Sequence, residues 1–177
     1  NLTAVATEST QDGLDPDPET ATSNTVTTNI KLTGVVDDPQ FTPDQDGAWT
    51  WNGDVDNSVL TGTLDEDSLL SLSFMLGSSD DDGSERSDLV IGNLNPNVDL
   101  VDVNGDPIAL QVVGENGDGL IYQVSASQLA NIYLRPQADF SGAEPAFTIR
   151  QVISEPDGDS ESFSHEVMLD NLPVVDT

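Results

Sequence analysis

Apolar residues recur at every second position in short runs closed by Gly, Asp, Asn or Pro, and this rhythm limits the chain more than any other feature. Val26, Thr28, Ile30 and Leu32 alternate with Thr27, Asn29 and Lys31, and Leu70, Leu72, Phe74 and Leu76 alternate with Ser71, Ser73 and Met75. Successive side chains of an extended backbone point to opposite faces, so a period of two predicts half-buried strands rather than helices. Further runs at Leu89–Ile91, Val98–Val103, Ile108–Val113, Leu120–Val124, Ile132–Leu134, Phe147–Ile153 and Phe163–Leu169 are each bounded by turn residues. About ten short strands at even spacing predict an all-β fold, an antiparallel β-sandwich. The only helical hint is Ser125–Ala130, long enough for a turn or two.

Charge comes next. Thirty-three Asp and Glu face four Lys and Arg, a net charge of −29 on 177 residues. Nucleic acid is thereby excluded as a partner, since a polyanion is held by Lys and Arg that displace its counterions. Hydrophobic residues make up 36% of the chain, enough for a core and too many for an acidic tail. No apolar run approaches the ~18 residues of a membrane span, and no signal segment opens the chain. It reads as a soluble piece of something longer. With no Cys and one His, zinc, iron–sulfur and thiol chemistry are excluded.

Such self-repulsion is tolerated where cations cancel it. The acids gather in knots with Gly, Asn and Ser: Asp44–Gly47, Asp65–Asp67, Asp80–Glu85, Asn104–Asp106, Glu115–Gly119 and Asp157–Asp159. Hard oxygens on tight turns suit Ca²⁺, which takes six to eight of them in flexible geometry; the plain alternative is that Asp, Asn and Gly make good turns. The candidate ligands for several Ca²⁺ ions are Asp37, Asp38, Asp65, Asp67, Asp80, Asp81, Asp82, Glu85, Asp118, Asp157 and Asp159.

An internal repeat organises the chain. Residues 2–13 and 17–38 run parallel to 148–158 and 159–176, each copy reading as strand, acidic turn, Ser/Thr-rich strand and a Val-Val-Asp exit at Val35–Asp37 and Val174–Asp176. Residues 1–38 thus read as the closing hairpin of a repeat-like unit, with 39–177 as an enlarged sandwich. Either the chain begins inside a tandem array, or the hairpin belongs to a single domain spanning 1–177.

The stretch from Thr61 to Thr177 carries Asp80–Glu85, Leu89–Leu94, Glu115–Gly119, Ser127–Leu129, Ile132–Pro136, Ala138–Gly142 and Asp157–Asp159. In that order and spacing it resembles the repeats of giant RTX adhesins, calcium-dependent proteins that Gram-negative bacteria export by type I secretion. The resemblance implies a calcium-bound Ig/cadherin-like sandwich on the extracellular bacterial surface, joined to adjacent adhesin domains and serving adhesion, colonisation or biofilm formation. The chain is larger than the usual repeat, with an unmatched stretch from Phe41 to Asn57. The resemblance therefore leans towards the family's ligand-binding domain, which holds a partner protein's carboxyl terminus through bound Ca²⁺, the partner lying on a host or neighbouring cell. The acidic junctions Val36–Pro39 and Asp65–Asp67 also resemble calcium-rigidified linkers, and an ion bridging Asp37, Asp38 or the Asp65 knot to Asp157–Asp159 is expected.

In the peptide-end reading, Gly83 turns the backbone of the Asp80–Glu85 loop so that N–H groups and the Ser84 hydroxyl face the ligand. Arg86 either pairs with the ligand carboxylate or tempers its acidic neighbours. Trp49 and Trp51 share one side of a strand, as core or as a stacking platform for a sugar, with Trp51 the candidate contact. His165 shares parity with Phe163, Val167 and Leu169 and reads as a satisfied core histidine. The glycines near 105, 117 and 119 read as hairpin turns. No nucleophile, base and orienting group stand together, so an enzyme is not expected. Three functions stay open: a calcium-dependent module binding peptide ends, a structural extender stiffened by calcium, and a calcium-dependent lectin.

Overall fold

The computed structural model describes residues 28–31, 33–43, 46–65, 67–80, 83–117, 119–138, 140 and 142–173. The chain divides between Thr33 and Gly34, and the second unit contains all the regular structure described below. Of the strand expected at Val26–Leu32, residues 28–31 are described and are not strand; the first copy of the repeat otherwise falls largely outside the described residues. Residues 28–31 and 33–38 are not in strands, because nothing pairs with them in a ladder.

Among the described residues, twelve strands and one helical turn follow in chain order: β1 Pro39–Thr42, β2 Trp49–Trp51, β3 Ser58–Asp65, β4 Leu70–Ser71, β5 Met75–Ser78, β6 Arg86–Gly92, β7 Val98–Val101, β8 Gln111–Asn116, β9 Gly119–Val124, α1 Ala126–Leu129, β10 Tyr133–Pro136, β11 Gly142–Ser154 and β12 Ser160–Leu172. A seven-stranded sheet runs β2-β3-β12-β11-β6-β9-β8, beside a three-stranded sheet β4-β10-β7 and a pair β1-β5. The fold is all-β and sandwich-like, as the alternation requires.

One correction concerns direction. The described strand pairings are antiparallel, as expected, except one: β3 lies parallel to β12, with Ser58 opposite His165 and Asp65 opposite Leu172. Parallel neighbours need a long crossover, and the chain from β4 to β11 lies between these two strands. β3 also carries the alternation least visibly. Its inward positions are Ser58, Leu60, Gly62 and Leu64, and two of the four are not large and apolar.

Burial keeps the period of two even where hydrogen-bonded strand does not. Leu70, Leu72, Phe74 and Leu76 are all buried although the ladder breaks between β4 and β5. They join Trp49, Leu60, Leu89, Ile91, Leu129, Leu134, Phe140, Phe147, Ile149, Val167 and Leu169 in one core. The run expected at Ile108–Val113 begins later, at Gln111, and bulges between Val112 and Gly114. A bulge twists an edge strand away from further pairing.

The helical turn is held by a capping box. The Gln128 N–H donates to Ser125 Oγ at 3.2 Å and the Ser125 N–H donates to Gln128 Oε1 at 2.8 Å, satisfying two donors that no intrahelical carbonyl reaches. Ser125→Ala is expected to cost about 1 kcal/mol, read as a lower midpoint in urea denaturation.

Candidate functional site

Three acidic segments meet at one end of the second unit. The 34–38 stretch leads into β1, the 79–85 loop joins β5 to β6, and the 155–159 turn closes the β11–β12 hairpin. Their contacts are specific. The Gly34 N–H donates to Asp157 Oδ2 at 2.8 Å, and the Asp37 N–H to Glu85 Oε1 at 2.6 Å. The Glu85 N–H donates to Asp80 Oδ2 at 3.2 Å, and Ser84 Oγ to Glu155 Oε2 at 3.2 Å. A Cβ at Gly34 would stand 2.7 Å from the Glu155 carboxyl carbon, so a larger residue there requires the Glu155 side chain to move. Gly83 supports the loop with a left-handed φ of 73°, which glycine adopts without steric cost.

Glu85 Oε2 is the exception in this network. It is shielded from solvent and has no hydrogen-bond partner, while its sister oxygen accepts from Asp37. A buried charged oxygen left unsatisfied is costly, by about 1–3 kcal/mol or more. Every acid around it adds negative potential. A hard cation is the chemical species that would satisfy such an atom, and the donors nearby are oxygens alone. Among the described residues, however, no three His, Asp or Glu stand together as a ready-made metal shell. Asp81 and Asp82, central to the loop, lie outside the described residues, as does Asp118.

The remaining candidates are dispersed. Asp38 and Asp159 are exposed on the same three segments as the cluster, the Asp38 carbonyl accepting from Ser79 N at 3.0 Å and the Asp159 N–H bonding Asp157 Oδ1 at 3.2 Å. Asp65 and Asp67 are elsewhere. Asp65 pairs with Leu172, twelve positions along β12 from Ser160, about 40 Å of strand from the Asp157 turn. The expected bridge between those two knots therefore has no geometry, because the parallel pairing carries Asp65 to the opposite end of the sheet.

The Asn104–Asp106 knot is part of a turn that satisfies itself, and so is the nearby acidic turn at 54–57. Asp102 Oδ1 accepts from the N–H groups of Asn104 and Asp106 at 2.8 and 3.0 Å, and the Asp106 hydrogen bond above all holds its carboxyl below the usual carboxylate range. Asp54 Oδ1 likewise accepts from Asp56 and Asn57. These are Asx turns, for which the side chains need no metal.

The ligand candidates are engaged internally. The Ser84 hydroxyl faces Glu155, and Arg86 is held by Asp88 at 2.8 Å. Trp49 is buried, its indole N–H donating to the Ser71 carbonyl at 2.8 Å. Trp51 is half-buried, its ring centroid 6.2 Å from that of Phe41 and its N–H donating to Ser58 Oγ at 3.0 Å. The two indoles share one side of β2, as parity requires, and that side is the core.

Glu155 and Gly34 belong to this end yet were not singled out by sequence. The signal for Glu155 is its position three residues before Gly158 in the hairpin turn, where its N–H and carbonyl close the loop with Asp159 and Gly158. No family model matches the chain, and no curated protein or solved structure matches it. Among the described residues no helix is long and apolar enough to cross a membrane.

Proposed function

We propose that the chain is a calcium-stiffened spacer module of a bacterial surface adhesin, exported and then loaded with Ca²⁺ outside the cell. The observation that carries this reading is the buried, unpartnered Oε2 of Glu85 amid the acids that receive the entering chain. Glu85, Asp80, Asp37 and Asp157 are the residues that would hold the ion, with Asp81 and Asp82 of the same loop. Bound calcium supplies positive charge that cancels repulsion and ties three segments together.

The course of the chain supports a spacer over a ligand-capture module. Gly34, beside Asp157, lies at one end of β12, and Leu172 lies at the other, so a load applied across the unit would run along this 13-residue strand. Capture of a peptide carboxyl terminus at this end has less support, because Ser84 and Arg86 already have partners.

Melting of the chain in millimolar CaCl₂ and in EDTA tests the proposal. An independent site filled at a hundredfold excess over Kd contributes about 2.7 kcal/mol, a rise in Tm of roughly 5–10 °C for a domain of this size. Glu85→Gln is expected to abolish most of that rise and to melt above the wild type in EDTA, since it removes the buried charge. Equal melting temperatures in calcium and EDTA would overturn the calcium reading.

A further inference from the structure

We propose that the concavity on the outer face of the seven-stranded sheet, headed by Arg150, is a binding site for a short aliphatic monocarboxylate. The proposal is independent of the calcium reading, for the site lies towards the Gly92 end of β6 and the acidic cluster adjoins its Arg86 end.

The concavity encloses about 440 Å³ and is walled by Val90, Val113 and Ile121, with Arg150 and Thr148 from β11 alongside. These positions alternate with the buried Leu89, Ile91, Ile149 and Gln151 and so face away from the core. The β8–β9 hairpin rises beside this face, and Val113, the extra residue of its bulge, is 47% exposed.

Arg150 is the decisive group. In a chain with 33 acids, the other two arginines are paired, Arg86 with Asp88 and Arg135 with Asp99. Arg150 forms no ion pair among the described residues; its one hydrogen bond there is from Nε to Ser162 Oγ at 2.7 Å. That bond orients the guanidinium and leaves both terminal nitrogens for an incoming group. The acids nearest in register, Asp88 opposite Val152 and Glu166 opposite Thr148, make no ion pair with it. A planar fork with two free nitrogens matches a carboxylate.

The rim favours an aliphatic over a sugar-like ligand. Asn116 Nδ2 donates to Asn93 Oδ1 at 3.1 Å and Asn93 Nδ2 to Thr148 Oγ1 at 3.4 Å, so these polar side chains bond one another rather than wait for hydroxyl groups. What remains for a ligand is a branched aliphatic wall, the Arg150 fork and the Ser164 hydroxyl, a small number of polar groups fixing the orientation of an apolar body.

The test is a titration of the ¹⁵N-labelled chain with sodium 4-methylpentanoate, and separately with the neutral 4-methylpentanamide, in about 0.15 M salt so that long-range repulsion is screened. Saturable shifts are expected at the amides of residues 90–92 and 148–150. The amide probe and Arg150→Gln are each expected to weaken binding at least tenfold, about 1.4 kcal/mol. Val113→Glu, at an exposed position that leaves the core untouched, is expected to abolish it while preserving the dispersed spectrum. Absence of saturable shifts, equal binding of the amide, or unchanged binding by either variant would each overturn the proposal.

Discussion

Gln151→Leu is expected to destabilise the fold by about 4 kcal/mol, because it orphans one buried partner after another. Gln151 is fully buried on β11 and donates from Nε2 to the Gly77 carbonyl at 2.8 Å and to Ser87 Oγ at 2.9 Å. Its Oε1 must then accept, which assigns the proton on His165 to Nε2, 3.0 Å away. His165 Nδ1 in turn accepts from Ser58 Oγ at 2.7 Å, and Ser58 accepts from the Trp51 indole N–H at 3.0 Å. Six strands, β2, β3, β5, β6, β11 and β12, are linked by a chain in which each group has its donor or acceptor role fixed. The double variant Gln151→Leu/His165→Phe is expected to lose less than the sum of the two single changes, since apolar pairs leave fewer polar groups stranded. Urea denaturation measures all three; a loss under about 1 kcal/mol for Gln151→Leu would show that the network is not satisfied as described.

The same network sets an acid limit. Burial lowers the pKa of His165 from 6.5 to about 4, so the folded state holds it neutral where the unfolded state takes up a proton. Its contribution is fully present above pH 6.5 and is lost as pH falls from there towards about 4, amounting to about 3 kcal/mol. Only neutral groups, Ser58 and Gln151, bond the ring. The variant lacking His165 is expected to lose this slope, and an unchanged pH dependence would contradict it.

Gly62→Val is expected to cost about 3 kcal/mol through overpacking, and Trp49→Ala about 4 kcal/mol through the cavity it leaves. Gly62 sits opposite Trp49 in the β2–β3 ladder. A Cβ there would come within 2.5 Å of Leu70 Cδ2 and 2.8 Å of the Trp49 ring. The indole fills the glycine's place and meets Phe74 edge-on at 4.8 Å, a geometry worth more than area alone. Combining Gly62→Val with Trp49→Leu is expected to cost less than the sum, and strict additivity in thermal denaturation would refute the interlock.

Much of this was legible from residue order. The predicted runs overlap nine of the strands, β4 to β12, the Ser125–Ala130 segment marked the helical turn, and the parity of His165 with Phe163 and Val167 placed it on the core face. These are local properties, set by where consecutive side chains point. β3 escaped because Ser58 and Gly62 occupy inward positions for partners remote in sequence, His165 and Trp49. Its parallel pairing with β12 carries no local signature either.

For function, the sequence by itself determined the acid excess, the oxygen-only donor chemistry and the knots that bear it. The tertiary structure decided which knots meet. It joined Gly34 to Asp157 and Asp37 to Glu85, sent Asp65 to the other end, and left Arg150 without an ion pair among the described residues, beside an apolar hollow. The physical reason is that carboxylates repel one another along the chain and are brought together only where the burial of strands remote in sequence outweighs that repulsion.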